Sequence, residues 1–347
     1  MSTRASAGEL RALTGVRGIA AWFVVFYHIR LSIAGLSTGL RDVFAKGYLA
    51  VDFFFLLSGF VIWLTWNDRL RTGGMAGVPR FLQQRLARIW PLHLVTLAGA
   101  VALALVLRAT GRDDPQFVFL ELPLHIVLLQ NWGFTRHLAW NDPAWSISAE
   151  LAAYLLFPLL VMAVDWRRVP SAVLLALAGL LLLALHLTID SPTLGTDIPR
   201  YGLLRCLIEF TTGSIVCALW LRWRTARAAI GAAISIATAL IIMWIAGLPE
   251  TLVVPALFAT LLLLLALTSG RPRNPFEGRT IHYLGEISYA TYLSHFILWK
   301  AFKLAFVSDA NAVSPAEIAL YLGLVLLASI ALYHLIERPA QRWLNRR

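Results

Sequence analysis

The chain has 347 residues, of which 59% are hydrophobic and 14% charged, and its formal net charge is +11. A soluble domain is nearer half apolar and a quarter charged, so this composition excludes an ordinary soluble protein and indicates a helical membrane protein. The two cysteines, Cys206 and Cys217, lie too far apart along one apolar segment to bond to each other, and they suggest no disulfide framework or metal site.

Apolar segments recur along the whole chain, and ten of them are long enough to cross a bilayer as helices. They are predicted at residues 12–34, 47–66, 85–107, 144–164, 171–188, 200–221, 228–246, 251–269, 282–306 and 316–336. An eleventh segment, 118–130, is short, carries Glu121 and His125 and is broken by Pro123. We therefore expect a short helix or re-entrant segment there that does not cross.

The basic residues indicate the orientation, because cytoplasmic loops carry an excess of Lys and Arg. With the N-terminus inside and 118–130 not crossing, the inner segments hold seventeen arginines, from Arg4 to Arg347, against four basic residues in the outer loops. The sequence therefore predicts an all-α polytopic membrane protein with about ten transmembrane helices and both termini cytoplasmic. We expect one membrane-embedded domain over residues 8–343, with no appended soluble domain. This placement also explains the positive charge without a nucleic-acid partner.

Arg17 and His28 lie eleven residues apart in the first predicted span. On an α-helix that separation places both side chains within about 20° of one face and about 16 Å apart along the axis. Ionisable groups inside a membrane are functional candidates, and a histidine titrates near neutrality, so it is suited to proton transfer. The structural alternative is that Arg17 snorkels to lipid headgroups while His28 hydrogen-bonds a neighbouring helix.

Further polar residues are predicted at about the depth of His28, toward the outer surface. They lie in the second span, in NDPAWSISAELAAY (141–154) and past the midpoint of 282–306, and they are Asp52, Trp145, Ser148, Glu150, Ser294 and His295. We expect His28 and the other ionisable members to form a single outer polar layer. The structural alternative is a buried hydrogen-bond network that holds the helices together.

Two arginines begin the third span, in FLQQRLARIWPLHL (81–94). Arg85 and Arg88 are three residues apart and share one helical face at the predicted cytoplasmic surface. Two guanidinium groups suit a phosphate-rich ligand, although charges that only flank a span would look the same. A second intramembrane pair, Arg205 and Glu209, is spaced i,i+4 and is expected to be structural.

Several stretches together resemble acyltransferase family 3, the integral-membrane acyltransferases of bacterial surface glycans and some small molecules. The resemblance covers about residues 8 to 343, and the ordered set of motifs is specific. The stretches are RGIAAWFVVFYH (17–28), GYLAVDFFFLLSGFVI (47–62), RLAR (85–88), WSISAELAAYLLFP (145–158), LGEISYATYLSHFIL (284–298) and ERPAQRWL (337–344).

The resemblance implies transfer of an acyl group, usually acetyl, from cytoplasmic acyl-CoA to a hydroxyl of an acceptor that is often at the outer face. It implies that Arg17 and His28 are the essential pair and that Arg85 and Arg88 engage CoA. Trp145, Ser148 and Glu150 match a third motif. The implied location is the bacterial cytoplasmic (inner) membrane, and membrane lipid is an implied partner.

The expected mechanism brings the CoA arm up between the helices, past Arg17, to His28. His28 then acts as general base toward the acceptor hydroxyl, with Glu150 or Asp52 orienting its imidazole, or it is itself acylated and passes the group on. We expect no metal, because no cluster has a convincing ligand spacing. The acceptor remains open between a glycan and a small-molecule glycoside or macrolide. A secondary transporter, which would also have about ten spans and buried charges, is the rival class.

Overall fold

The computed structural model describes residues 10–346 and is built from helices, with one isolated bridge between Ile33 and Val313 but no β-strand in that range. Residues 8 and 9 of the predicted domain, and Arg4 and Arg347 of the basic set, lie outside the described residues. The α-helices are α1 Arg11–Ile29, α2 Thr38–Ala45, α3 Ala50–Gly73, α4 Val78–Ala109, α5 Leu122–Ile126, α6 Ala144–Ala163, α7 Ser171–Thr188, α8 Ile198–Trp223, α9 Arg227–Ile245, α10 Glu250–Thr268, α11 Arg279–Glu286, α12 Ser288–Phe306, α13 Pro315–Leu332 and α14 Arg338–Leu344.

Eight stretches of the described chain are long and apolar enough to cross a membrane. One of them, Thr38–Ala109, contains both α3 and α4, while the 19-residue α12 is not among the eight. These helices identify a multi-pass membrane protein. The number of about ten crossings and the cytoplasmic location of both termini remain predictions.

The structure matches the predicted short helix near 118–130 but divides the predicted span 282–306. The segment around residues 118–130 contains α5, a helix of five residues, which is too short to cross about 30 Å of hydrocarbon. The predicted span 282–306 is two helices, α11 and α12, separated at Ile287. The Ser288 hydroxyl donates to the carbonyl of Gly285 at this break, at 2.8 Å. The break lies inside a stretch that was predicted as one span, although Glu286 and Ser288 flank Ile287.

Helices α3 and α8 cross with their backbones in contact. A Cβ on Gly59 would overlap the carbonyl of Phe210, and a Cβ on Gly213 would overlap the carbonyl of Leu56. Small residues allow this close approach, which provides van der Waals packing where lipid tails remove the hydrophobic driving force between helices. The crossing lies within the largest buried cluster of apolar side chains.

Helix α1 packs against α11 and α12 through a second set of close contacts. A Cβ on Gly18 would meet the backbone of Leu284 and Gly285, and a Cβ on Gly285 would overlap the Thr14 carbonyl. These contacts fix the rotation of α1, so the face that carries Arg17 and His28 points toward α12 and the interior of the bundle.

Candidate active site

A cavity of about 400 Å³ lies between α1, α3, α4, α6 and α12, near the N-terminal ends of α1, α4 and α12. Its charged lining residues are Arg17, Arg85, Arg88 and Glu150, with Ser58, Ser146, Tyr154, Ser288, Tyr289 and Tyr292 among the polar ones. Three guanidinium groups against one carboxylate give this cavity a positive lining, which favours an anionic ligand.

Arg17 is held in the cavity by the start of α12. Its Nη2 donates to Ser288 Oγ at 3.2 Å. Arg17 interacts electrostatically with Arg88, Glu150 and Glu337. It therefore belongs to the same charged cluster as Arg88 of the RLAR motif. Because α1 faces the bundle here, the guanidinium lies inside the protein rather than reaching out to a lipid headgroup.

Arg85 and Arg88 both line the cavity but have different partners. Arg88 forms an ion pair with Glu337, whose side chain is fully buried in the turn between α13 and α14. Arg85 is half-buried, and its Nε has no hydrogen-bond partner within residues 10–346. An unpaired guanidinium in a cavity is available to a ligand, whereas Arg88 already has a carboxylate to neutralise it.

Glu150 lies on the cavity side of α6 and accepts a hydrogen bond from the Ser58 hydroxyl of α3. Its charge acts on Arg17 and Arg85. Glu150 therefore belongs to the arginine-lined cavity and is not a partner of His28 in this structure.

His28 contacts a second histidine. Its Nδ1 lies 2.9 Å from the Val24 carbonyl and 3.1 Å from Nε2 of His295 on α12. The two ring centroids are 4.9 Å apart. The hypothesis that Glu150 or Asp52 orients the His28 imidazole therefore differs from the observed arrangement, in which another imidazole and a backbone carbonyl contact that nitrogen.

Asp52 is fully buried at the interface of α3 and α8, away from the cavity lining. Its Oδ1 accepts from Nη2 and Nε of Arg205, at 2.7 and 3.0 Å. Trp145 covers this pair, with the Arg205 guanidinium 5.3 Å from its ring centroid. The expected partner of Arg205 was Glu209, one turn along its own helix, but the structure pairs it with a carboxylate of a neighbouring helix.

The two serines of the predicted site bond to backbone rather than face the cavity. Ser148 Oγ donates to the Leu128 carbonyl at 2.8 Å and accepts from the Asn131 amide at 3.1 Å, so it anchors the short segment after α5. Ser294 donates to the Ala290 carbonyl of its own helix at 2.8 Å. Both side chains are buried and support neighbouring structure.

The predicted single polar layer is thus three separate clusters, namely His28 with His295, Asp52 with Arg205, and Glu150 with the cavity arginines. Depth in a membrane follows from position along a helix, but lateral position depends on how each helix is rotated and packed. Sequence reasoning missed Ser58, Ser288, Tyr292 and Glu337 as cavity or cavity-neighbouring groups, although all four lie in the motif stretches quoted above.

The cavity ends near the histidine pair. Tyr292, which lines the cavity, has its ring centroid 6.2 Å from that of His295. Its hydroxyl lies 2.8 Å from Ser146 Oγ and donates to the Pro143 carbonyl at 3.0 Å. Tyr292 therefore lies next to both the cavity and His295.

One carboxyl group lies just before α6, outside the membrane segments. Burial raises the pKa of Asp142 to about 6, against the opposing charge of Lys300 and a hydrogen bond from Gln116. Within residues 10–346, no group of three or more His, Cys, Asp or Glu side chains is arranged to hold a metal ion.

The family described as "Acyltransferase domain" matches residues 10–334 of this chain. The relative described as acyltransferase MdmB, from Streptomyces mycarofaciens, is 30% identical over 98% of this chain and 93% of its own. The exopolysaccharide production protein ExoZ of Rhizobium meliloti is 27% identical over 86% of this chain and 91% of its own.

A third relative, the peptidoglycan O-acetyltransferase OatA of Listeria monocytogenes, is 25% identical over 63% of this chain but only 35% of its own length. No solved structure matches the chain significantly. The family match covers α1 to α13 and includes both the cavity and the histidine pair, and it favours an enzyme over a transporter.

Proposed function

This chain belongs to acyltransferase family 3, and we propose that it transfers an acyl group, most simply acetyl, from cytoplasmic acyl-CoA to a sugar hydroxyl. The proposed acceptor is an extracytoplasmic or membrane-associated glycan, and the proposed location is the bacterial inner membrane. The names of two relatives, one in exopolysaccharide production and one a peptidoglycan O-acetyltransferase, support a glycan acceptor.

The single observation that carries the proposal is a cavity lined by three arginines, with one lining residue, Tyr292, next to a histidine pair. CoA has charged phosphates on a nucleotide and a thin arm that ends in the thioester. Arg85 and Arg88 would hold the phosphates, since guanidinium groups bind phosphate in a forked geometry. The rise of α1 from Arg17 to His28 is about 16 Å, a distance that only an extended arm bridges.

We propose that Arg17 and Glu150 guide the arm through the cavity. Arg17 adds positive charge between the phosphate site and the histidines, and Glu150 with Ser58 offers hydrogen-bond acceptors to amide groups of the arm. Asp52 is assigned no chemical step, because its carboxylate is engaged by Arg205; we propose that it holds α3 against α8.

In the direct mechanism, neutral His28 removes the proton of the acceptor hydroxyl. The oxygen bonds to the thioester carbonyl carbon, the carbon–sulfur bond breaks, and the imidazolium returns its proton to the CoA sulfur. In the two-step mechanism the acyl group first bonds to His28 and then passes to the hydroxyl. Accumulation of an acylated His28 that reacts with acceptor at a competent rate would select the second.

The test is acetyl transfer by purified protein in nanodiscs, with radiolabelled acetyl-CoA and a panel of bacterial glycans. His28→Ala should abolish label transfer, and Arg85→Ala should weaken CoA binding. Matched controls are His137→Ala, which removes an imidazole that is 51% exposed on a loop, and Arg80→Ala, which removes an exposed arginine of the same helix as Arg85. Both controls should behave as the wild type.

Each outcome has a defined meaning. Transfer that requires His28, together with CoA binding that requires Arg85, supports the enzyme and both ends of the proposed path. CoA binding with label transferred to a small glycoside or macrolide, but to no glycan, changes the acceptor and keeps the reaction. Folded protein that binds no CoA contradicts the proposed donor.

A further inference from the structure

The contact between His28 and His295 determines which ring nitrogen carries a proton. Nδ1 of His295 lies 3.1 Å from the Thr291 carbonyl. A carbonyl only accepts, so this Nδ1 carries the hydrogen, and Nε2 of a neutral His295 presents a lone pair. That lone pair points at His28, because the Nε2 of His295 is 3.1 Å from its Nδ1.

The same reasoning identifies the ring nitrogen of His28 that carries the hydrogen. Its Nδ1 faces two acceptors, the Val24 carbonyl at 2.9 Å and the Nε2 of His295. It therefore donates its hydrogen to them, and the Nε2 of neutral His28 is left with a free lone pair. A general base or a nucleophile needs an unprotonated nitrogen, so the reactive atom of His28 is Nε2.

His295 is itself held firmly in place. It is fully buried, and the Tyr321 hydroxyl donates to its backbone carbonyl at 2.9 Å. The titratable and charged groups around the pair are Tyr27 and Arg30 on the side of α1, Tyr292 and Lys300 on α12, and Tyr321 on α13, and Lys300 is paired with Asp114. Within residues 10–346 no carboxylate bonds to either imidazole.

We propose that His295 is a positioning residue that does for His28 what a buried carboxylate does in a catalytic triad. It accepts the Nδ1 hydrogen of His28, holds the ring with Nε2 toward the reacting groups, and stabilises the imidazolium after His28 takes the acceptor proton. A neutral imidazole performs this role without a negative charge at membrane depth, where burying an ion is costly. This inference rests on the proposed function of His28.

Substitutions at position 295 test the proposal in graded form. The Gln amide oxygen of His295→Gln reaches about as far as Nε2 and is a neutral acceptor, His295→Glu is a charged acceptor, and His295→Leu offers none. We expect the Leu variant to lose activity about a hundredfold or more in kcat with an unchanged KM for acyl-CoA, and the Gln variant to retain most of it.

The pH profile separates positioning from simple packing. A charged acceptor favours the imidazolium form of His28, so the pH at which activity falls on the acid side should rise by about one unit or more in the Glu variant. That pH should stay near the wild-type value in the Gln variant, and it should fall in the Leu variant. Trp299→Phe, a conservative change one turn further along α12, serves as the control and should leave the profile unshifted. Identical profiles in all variants would overturn the proposal, as would full activity of the Leu variant.

A second measurement does not need turnover. The rate at which diethylpyrocarbonate modifies His28, followed by peptide mass spectrometry against pH, reports how readily its nitrogen is available in each variant. The exposed His137 is the internal reference. Graded shifts in this rate without any acyl transfer would uphold the histidine pairing and contradict the proposed function. If the Leu variant does not fold, equal shifts in the Gln and Glu variants overturn the pairing.

Discussion

Two clusters of buried charge lie on two sides of helix α3, and they differ in whether a cavity adjoins them. The pair of Asp52 and Arg205 is closed inside the contact with α8, with side-chain exposures of 0% and 1%. The cluster of Arg17, Arg85, Arg88 and Glu150 surrounds a cavity instead. Both are costly in a membrane, but only the second has room for a ligand, so the open space rather than the charge itself identifies the functional cluster.

The largest expected effect comes from breaking the closed pair. Asp52→Ala leaves the Arg205 guanidinium buried without its carboxylate, and we expect the free energy of unfolding to fall by about 3–5 kcal/mol. The matched control is Asp68→Ala on the same helix, because Asp68 is 76% exposed and its pair with Arg167 is superficial. Thermal unfolding in one detergent measures both.

The double variant Asp52→Ala with Arg205→Met should recover part of the lost stability, because the guanidinium that lost its carboxylate is removed as well and only the buried Glu209 carboxyl group of this cluster remains. A destabilisation equal to that of the control, or a double variant worse than both single variants, would show that the pair does not hold α3 against α8.

The glycine crossing behind this pair is the next most sensitive feature. Gly59→Ala places a Cβ against the Phe210 carbonyl, and we expect a loss of about 1–3 kcal/mol from overpacking. Gly99→Ala in α4 is the matched control, since a Cβ there meets nothing within 4 Å and alanine favours a helix. Equal unfolding midpoints for the two variants would contradict the close contact.

Substitutions in the arginine cluster around the cavity should change ligand binding more than they change stability. Arg85→Ala removes an unpaired guanidinium, and we expect about tenfold weaker binding of CoA, measured by calorimetry, with the unfolding midpoint unchanged. Arg88→Ala should weaken binding and also destabilise the fold, because it leaves Glu337 buried without its partner. Unchanged CoA affinity in Arg85→Ala would place the phosphate site elsewhere.

The smallest effect is expected at Asp142. It is a third kind of buried charge, a carboxyl group that has no arginine partner within the described chain. Because its pKa in the folded protein is raised to about 6, the protonated form is favoured in the fold, and this contribution to stability is lost as the pH rises toward and beyond 6. Asp142→Asn should therefore stabilise the protein at pH 7.5 by about 1 kcal/mol relative to wild type, and by less at pH 5. A gain that is equal at both pH values would contradict the raised pKa.

The sequence predicted the helical membrane bundle, because apolar runs are long and turns are short. It also placed Arg17, Arg85 and Arg88 at one end of the bundle, since each lies near the start of a helix, and the structure brings them to one cavity. It could not separate Asp52 from His28, because two residues at one depth can face different neighbours. The break at Ile287 and the partner role of Glu337 also depend on packing, which hydropathy does not encode. The chemical roles of these residues remain predictions.

The contact of α3 with α8 also has a mechanical consequence. Backbone touches backbone at Gly59 and Gly213, so this side of α3 has no free volume into which the helix can retreat. The opposite side of the same helix forms one wall of the cavity through Ser58 and its neighbours. Because the α3 wall of the cavity cannot move, the cavity can widen only where its other walls move. Because α1 is likewise held backbone to backbone at Gly18 and Gly285, the movement that admits a bulky donor must come from α4 and α6, and amide hydrogen exchange should be faster there than along α3.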